Sequence, residues 1–194
     1  MKRKVFDLLV SAGGLLVAVV LLAAGGLALW GANFANSNVR HQLAQQEIFF
    51  PKAGDPQLKN PEIGPYLSKY AGQQVLTGAQ ARAYADHFIA VHLSEMPYGG
   101  VYAKISAAAL QNPNDQKLQA LKQTSFQGTT LRGLLLEAYA FSVFGQIAFW
   151  GAIVSFALAG VMLLLVALGF WHARRVPEEV EILSPRGNPL PHHA

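Results

Sequence analysis

The chain contains no cysteine. That excludes disulfides, c-type haem attachment, thiolate-held iron–sulfur clusters and cysteine zinc sites. Charge is scarce too: 13% of the 194 residues are Asp, Glu, Lys or Arg, against about 25% in an ordinary globular domain. The scarcity is concentrated. Leu8 to Val39 and Ala138 to Trp171 hold no charged residue, and each run exceeds the ~20 apolar residues that cross a ~30 Å hydrocarbon core as a helix. Neither run alternates polar and apolar residues as a barrel strand must, which leaves helices as the spanning form.

Between the runs the composition is ordinary, with nine Lys/Arg against seven Asp/Glu from Ala32 to Ala140. The expected fold is therefore all-α: a membrane protein with two transmembrane helices and a small helical extracytoplasmic domain inserted between them. The boundaries read as residues 1–4 cytoplasmic, 5–31 first span, 32–140 outer domain, 141–172 second span, and 173–194 a cytoplasmic, largely disordered tail. Lys2, Arg3 and Lys4 precede the first run, and Arg174 and Arg175 follow the second. The positive-inside rule places such flanks in the cytoplasm, and a loop this long is exempt from it. The expected location is the bacterial inner membrane. A net charge of +4 gathered at these flanks is not the footprint of a nucleic-acid binder. The first run is longer than the ~7–15 residues of a signal-peptide core and no Ala-x-Ala site ends it, so it reads as an uncleaved anchor. Trp30, Trp150 and Trp171, with Arg174 and Arg175, suit the headgroup level as interface anchors.

Asn33 to Phe50 carries neither proline nor glycine, so the first helix could continue outward until Pro51 stops it. Four prolines and two glycines from Pro51 to Pro65 predict an extended connection. Thr77 is a good N-cap for a helix over Gly78–Leu93, and Met96–Gly100 a strong turn. A helix over Val101–Leu110 follows. Asn112 is expected to cap the next with Pro113 in its first turn, and Gly128 with Thr129 or Thr130 to open the last, running to Arg175. The four prolines of the tail and its acidic Glu178–Glu181 stretch suit disorder.

Small residues recur at helical spacing in both spans: Gly14 and Ala18, then Ala24, Ala28 and Ala32, in the first; Gly151, Ser155 and Ala159 in the second. Such stripes let helices approach closely. They serve either the packing of the two spans on each other or docking onto a larger membrane complex. No Asp, Glu, Lys, Arg or His lies within the charge-free runs, which argues against a transporter or redox haem carrier. His87, His92 and Asp86 are the nearest approach to a metal constellation. A five-residue spacing on an α-helix turns the second ring about 140° from the first, unlike the i,i+4 pairs of zinc helices. His41 joins them only if the fold brings it there. His172 reads as an interface anchor, and His192–His193 as a poor site in a tail. The seven carboxylates between the spans form no paired motif, and no Gly-x-Ser-x-Gly, P-loop or dinucleotide fingerprint is present. Arg132 and Glu137, at the mouth of the second span, suit pairing with other helices of the domain. No catalytic, cofactor or metal residue is assigned.

Thr77-Gly-Ala-Gln-Ala-Arg-Ala-Tyr-Ala-Asp-His-Phe-Ile-Ala-Val-His-Leu and Thr130-Leu-Arg-Gly-Leu-Leu-Leu-Glu-Ala-Tyr-Ala-Phe resemble an uncharacterised family of two-span bacterial membrane proteins. The family is chiefly actinobacterial and often labelled "aromatic ring-opening dioxygenase LigA-related". The resemblance covers most of the chain from Asn33 to Arg175, and no motif in it has a chemical role. The dioxygenase subunit in that label is small, soluble and helical, with its iron site mainly in a partner subunit. No catalytic residue transfers from it.

The leading expectation is a non-catalytic accessory or scaffold subunit of a larger bacterial membrane complex, a respiratory or other energy-transducing assembly being a natural host. Its partners would be integral membrane subunits and the lipid bilayer. The second expectation is an extracytoplasmic sensor or ligand-binding module for a lipid or quinone, signalling through a partner because about 20 inner residues are too few for an output domain. A metal-dependent enzyme is the least supported reading.

Overall fold

The computed structural model describes residues 3–175 and 177. The acidic Glu178–Glu181 stretch and His192–His193 lie outside the described residues. Among the described residues six α-helices follow in order: α1 (Arg3–Gln45), α2 (Gly64–Leu67), α3 (Gly78–Tyr84), α4 (Ala90–Ser94), α5 (Tyr102–Gln111) and α6 (Gln116–Arg175). Among the described residues the extended structure is one isolated bridge, Phe49 with Gln74, so the fold is all-helical. α1 and α6 are long and apolar enough to cross a membrane, and only 11% of the most apolar window of each is buried. The core helix of a soluble protein would be mostly covered.

Contacts divide the chain into two compact units, one of residues 1–30 with 149–194 and one of residues 31–148. In the first unit the buried positions of α1 are Ser11, Ala18 and Gly25, and those of α6 are Ala152, Ala159, Val166 and Ala173. Both sets repeat every seven residues, the 3.5-residue period of helices that keep one seam together over many turns. The seam is built from small side chains. A Cβ on Gly14 would come within 2.9 Å of Val166 Cγ2, and one on Gly25 within 2.9 Å of Phe156 Cε1, so these glycines admit the opposite helix.

The second unit has a core of Val39, Leu43, Phe50, Leu67, Val75 and Leu135, all buried. Phe50 packs its ring against Tyr70 (5.1 Å between centroids) and Tyr84 (5.5 Å). Burial raises the Tyr84 hydroxyl above its ordinary titration range because the phenolate would lose its hydration there. The Pro51–Pro65 connection is not extended as expected. Asp55 accepts a hydrogen bond from Gln57 N at 2.9 Å and starts a 3-10 turn over Pro56–Lys59, and Pro65 sits in the first turn of α2. Proline has no N–H to lose at these positions and its fixed φ suits them. The burial of Ile63 and Leu67 holds the segment in place.

Thr77 caps α3 through a reciprocal pair: Gln80 N donates to Thr77 Oγ1 (3.3 Å) and Thr77 N to Gln80 Oε1 (3.0 Å). The helix continues through a π turn at Ala85–Ile89 into α4. After it, Tyr98, Gly99 and Gly100 have φ of 60°, 64° and 66°. Any side chain on Gly100 would strike the Leu93 carbonyl.

Two expected helix boundaries are corrected. Asn112 ends α5, its backbone N–H and side-chain amide both reaching Ala108 O. Asp115 caps α6, accepting from Lys117 N (2.9 Å) and Leu118 N (3.1 Å). Gly128 starts nothing, because it lies inside α6. A Cβ there would approach Leu93 Cδ2 to 2.8 Å; its missing side chain makes room for Leu93 and does not break the helix.

Candidate functional site

Asp86, on the π turn, is the charged hub of the middle unit. Arg132 of α6 donates to Asp86 Oδ1 at 2.9 Å, and Arg82 of α3 lies 3.5 Å from Oδ2. Arg82 also donates to the Tyr139 hydroxyl at 2.9 Å and stands over that ring, 4.9 Å from its centroid. Arg132 on Asp86 and Arg82 on Tyr139 tie α3 and the π turn to α6, while the Arg82–Asp86 contact stays within one helix. Arg132 Nε is buried with no hydrogen-bond partner among the described residues. The arrangement contains no nucleophile held by a base, so its chemistry is that of a clasp.

The histidines do not assemble. His87 stacks on Tyr66, centroids 3.5 Å apart and planes at 3°. His92 Nδ1 lies 2.7 Å from the Phe88 carbonyl, and His41 Nε2 is 3.0 Å from Gln45 Nε2. The α-helical angle expected between His87 and His92 does not apply, since the π turn falls between them. Each ring nonetheless takes a different neighbour, and among the described residues no three His, Asp or Glu side chains converge as a metal site would need.

On α1 and α6 the middle unit has an open groove of about 420 Å³, bounded by residues 38–48 and 131–141. Its walls include Val39, Leu43, Leu131, Leu135 and Phe141, and Asn38, Gln42, Gln46 and Glu137 supply polar groups. A concave, mostly apolar surface with a few polar groups is the general form of a small-molecule site. A hollow of about 430 Å³ beside Ser94, Tyr102, Thr129 and Arg132 is its shallower counterpart.

Of the small residues singled out for helix packing, Ala18 and Ala159 are buried, and Gly14, Ala28 and Ser155 half-buried. Gly151 and Ala24 are exposed, and nothing lies within 4 Å of a Cβ on Gly151. Trp30, Trp150 and Trp171 are exposed, and the Arg175 guanidinium covers the Trp171 ring at 4.1 Å. His172 joins a polar group that the apolar pattern concealed. Its Nε2 is 3.9 Å from Asp7 Oδ2 and 3.5 Å from an Arg3 guanidinium nitrogen. Asp7 stands one residue before the charge-free run and inside the helix expected from Val5, which was the available signal. The groove left none, because it depends on how far two helices part.

Comparison of the chain with protein-family models, with curated proteins and with solved structures found no match.

Proposed function

We propose that this chain is a non-catalytic accessory or scaffold subunit, held in the bacterial inner membrane by α1 and α6 with its middle unit on the outer side. The observation that carries this reading is apolar surface left uncovered on the α5 side of the middle unit. Leu110 is 74% exposed, Tyr98 51% and Phe126 49%. Phe126 packs one side against the Tyr102 ring of α5, centroids 5.5 Å apart. These residues belong to the segment of mixed charge, not to the charge-free runs that lipid would cover. Burying one such side chain is worth about 1.5–3 kcal/mol, a gain that a partner covering these residues would realise.

The flanking Lys2, Arg3, Lys4, Arg174 and Arg175 support cytoplasmic termini through the positive-inside rule. The test is native purification of the full chain from its own membranes in mild detergent, with mass spectrometry of what accompanies it. A reproducible set of larger membrane subunits, lost from a Leu110→Glu/Phe126→Glu variant that keeps its melting temperature, is the expected result. A chain that arrives alone would sink the proposal.

A further inference from the structure

The groove has a chemistry of its own. Its walls are leucine, valine and phenylalanine, yet three amides (Asn38, Gln42 and Gln46) and one carboxylate (Glu137) stand along it. No Lys, Arg or His is among the residues that bound it. That absence decides between ligand classes. A phosphate or free carboxylate placed here would meet Glu137 with no cation to offset the repulsion or the loss of hydration. A wholly apolar chain would leave the amides facing hydrocarbon, which costs unless they are hydrogen-bonded. A neutral head carrying both a hydroxyl and a carbonyl fits: the hydroxyl donates to Glu137, and an amide N–H donates to the carbonyl.

The walls take the tail. Leu134 is 58% exposed and Phe141 38%, so apolar surface remains for a chain to cover. Both walls are carried mainly by α1 and α6, the helices that hold the charge-free runs, with Gln46 just past the end of α1. A volume of about 420 Å³ is near the lower end of the ~300–1,000 Å³ of small-molecule sites, which suits one tail and one head.

We infer that the groove between α1 and α6 binds a neutral, single-tailed, hydroxyl-bearing membrane lipid, with Glu137 as acceptor for its head. This goes beyond the accessory role and does not depend on it, since it concerns a different face of the middle unit.

The test uses the full chain in nanodiscs and two photoreactive probes with the same diazirine-bearing acyl chain. One is a 1-monoacylglycerol; the other is the free fatty acid. The monoacylglycerol is expected to label peptides within 38–48 and 131–141 in preference to the fatty acid. Leu134→Trp, which fills the groove from an exposed position, should abolish labelling there by both probes. Glu137→Gln should change the preference between heads by about tenfold toward the fatty acid, since a charge-assisted hydrogen bond is lost and a repulsion removed. This ratio is insensitive to the fraction of chain that folds. Labelling confined to residues 8–37 and 142–171 would overturn the proposal. So would a ratio unmoved by Glu137→Gln, or cross-links between the grooves of two copies showing that a second chain occupies this face.

Discussion

Gly78 lies against Ser142 so closely that a Cβ at position 78 would strike the serine hydroxyl and sit 3.2 Å from the Tyr139 Cα. The hydroxyl has little freedom to move, because it donates to the Tyr139 carbonyl at 2.7 Å. Gly78 is also the first residue of α3, so the contact sets how near the start of that helix comes to α6. Gly78→Ala is expected to destabilise the middle unit by about 1–3 kcal/mol through overpacking. Ser142→Gly in the same chain should recover part of that loss. Thermal unfolding of the two single variants and the double variant measures it; strictly additive losses would show that the two positions do not oppose each other.

At the Asp86 clasp, charge and the shape of the guanidinium can be separated. Arg132 and Asp86 are partly exposed, 39% and 28% at the side chain, so solvent screens them and the pair contributes about 1 kcal/mol or less. Arg132→Lys keeps the charge but not the guanidinium that reaches Asp86 Oδ1, and should lose most of what Arg132→Gln loses. The difference between wild type and Arg132→Gln should shrink as salt rises toward 1 M, where the screening length falls to about 3 Å. Melting temperatures at low and high salt read this directly. A lysine variant equal to wild type would mean that charge alone matters.

How much of this was legible beforehand differs from residue to residue. The pattern around Thr77 was local, since a hydroxyl capping a helix and a glutamine three residues later need nothing outside that turn. Asp115 and Asn112 compete for the same role three positions apart, and only the tertiary path of α5 into α6 selects between them. Gly128 misled for a physical reason: glycine breaks helices by intrinsic preference, yet here the Leu93 side chain occupies the space a Cβ would need. The seam was half visible. Small residues at four-residue spacing pointed to Ala18 and Ala159, whereas the seven-residue repeat of buried positions runs through Ala152 and leaves Gly151 outside. The groove and the Asp7–His172 approach depend on distances between helices, which no single-helix pattern contains.

That seam separates two substitutions of similar chemistry. Ala159 is fully buried, so Ala159→Leu should overpack α1 against α6 and cost about 1–3 kcal/mol. Gly151 has open space around it, and leucine is the better helix former by about 1 kcal/mol, so Gly151→Leu should leave the folded chain as stable as wild type or more so. Unfolding by titration with SDS from mild detergent distinguishes them. Equal losses in both variants would show that the face of Gly151 is packed within the chain after all.

Tyr84 gives the pH prediction. Burial raises its hydroxyl above the value near 10 that it has in an unfolded chain. The folded chain therefore holds this proton more tightly than the unfolded chain does. The sign follows from linkage: the stabilisation is fully present below pH of about 10 and is lost as the pH rises from there through the folded value, where the unfolded phenolate gains hydration that the folded one cannot. Tyr84→Phe has no proton to lose, so its melting temperature should fall less steeply than wild type between about pH 9.5 and 11. The variant keeps the ring that meets Phe50 at 5.5 Å and Phe88 at 4.6 Å, so the two chains should differ little at neutral pH. Parallel alkaline slopes would assign the loss to other groups.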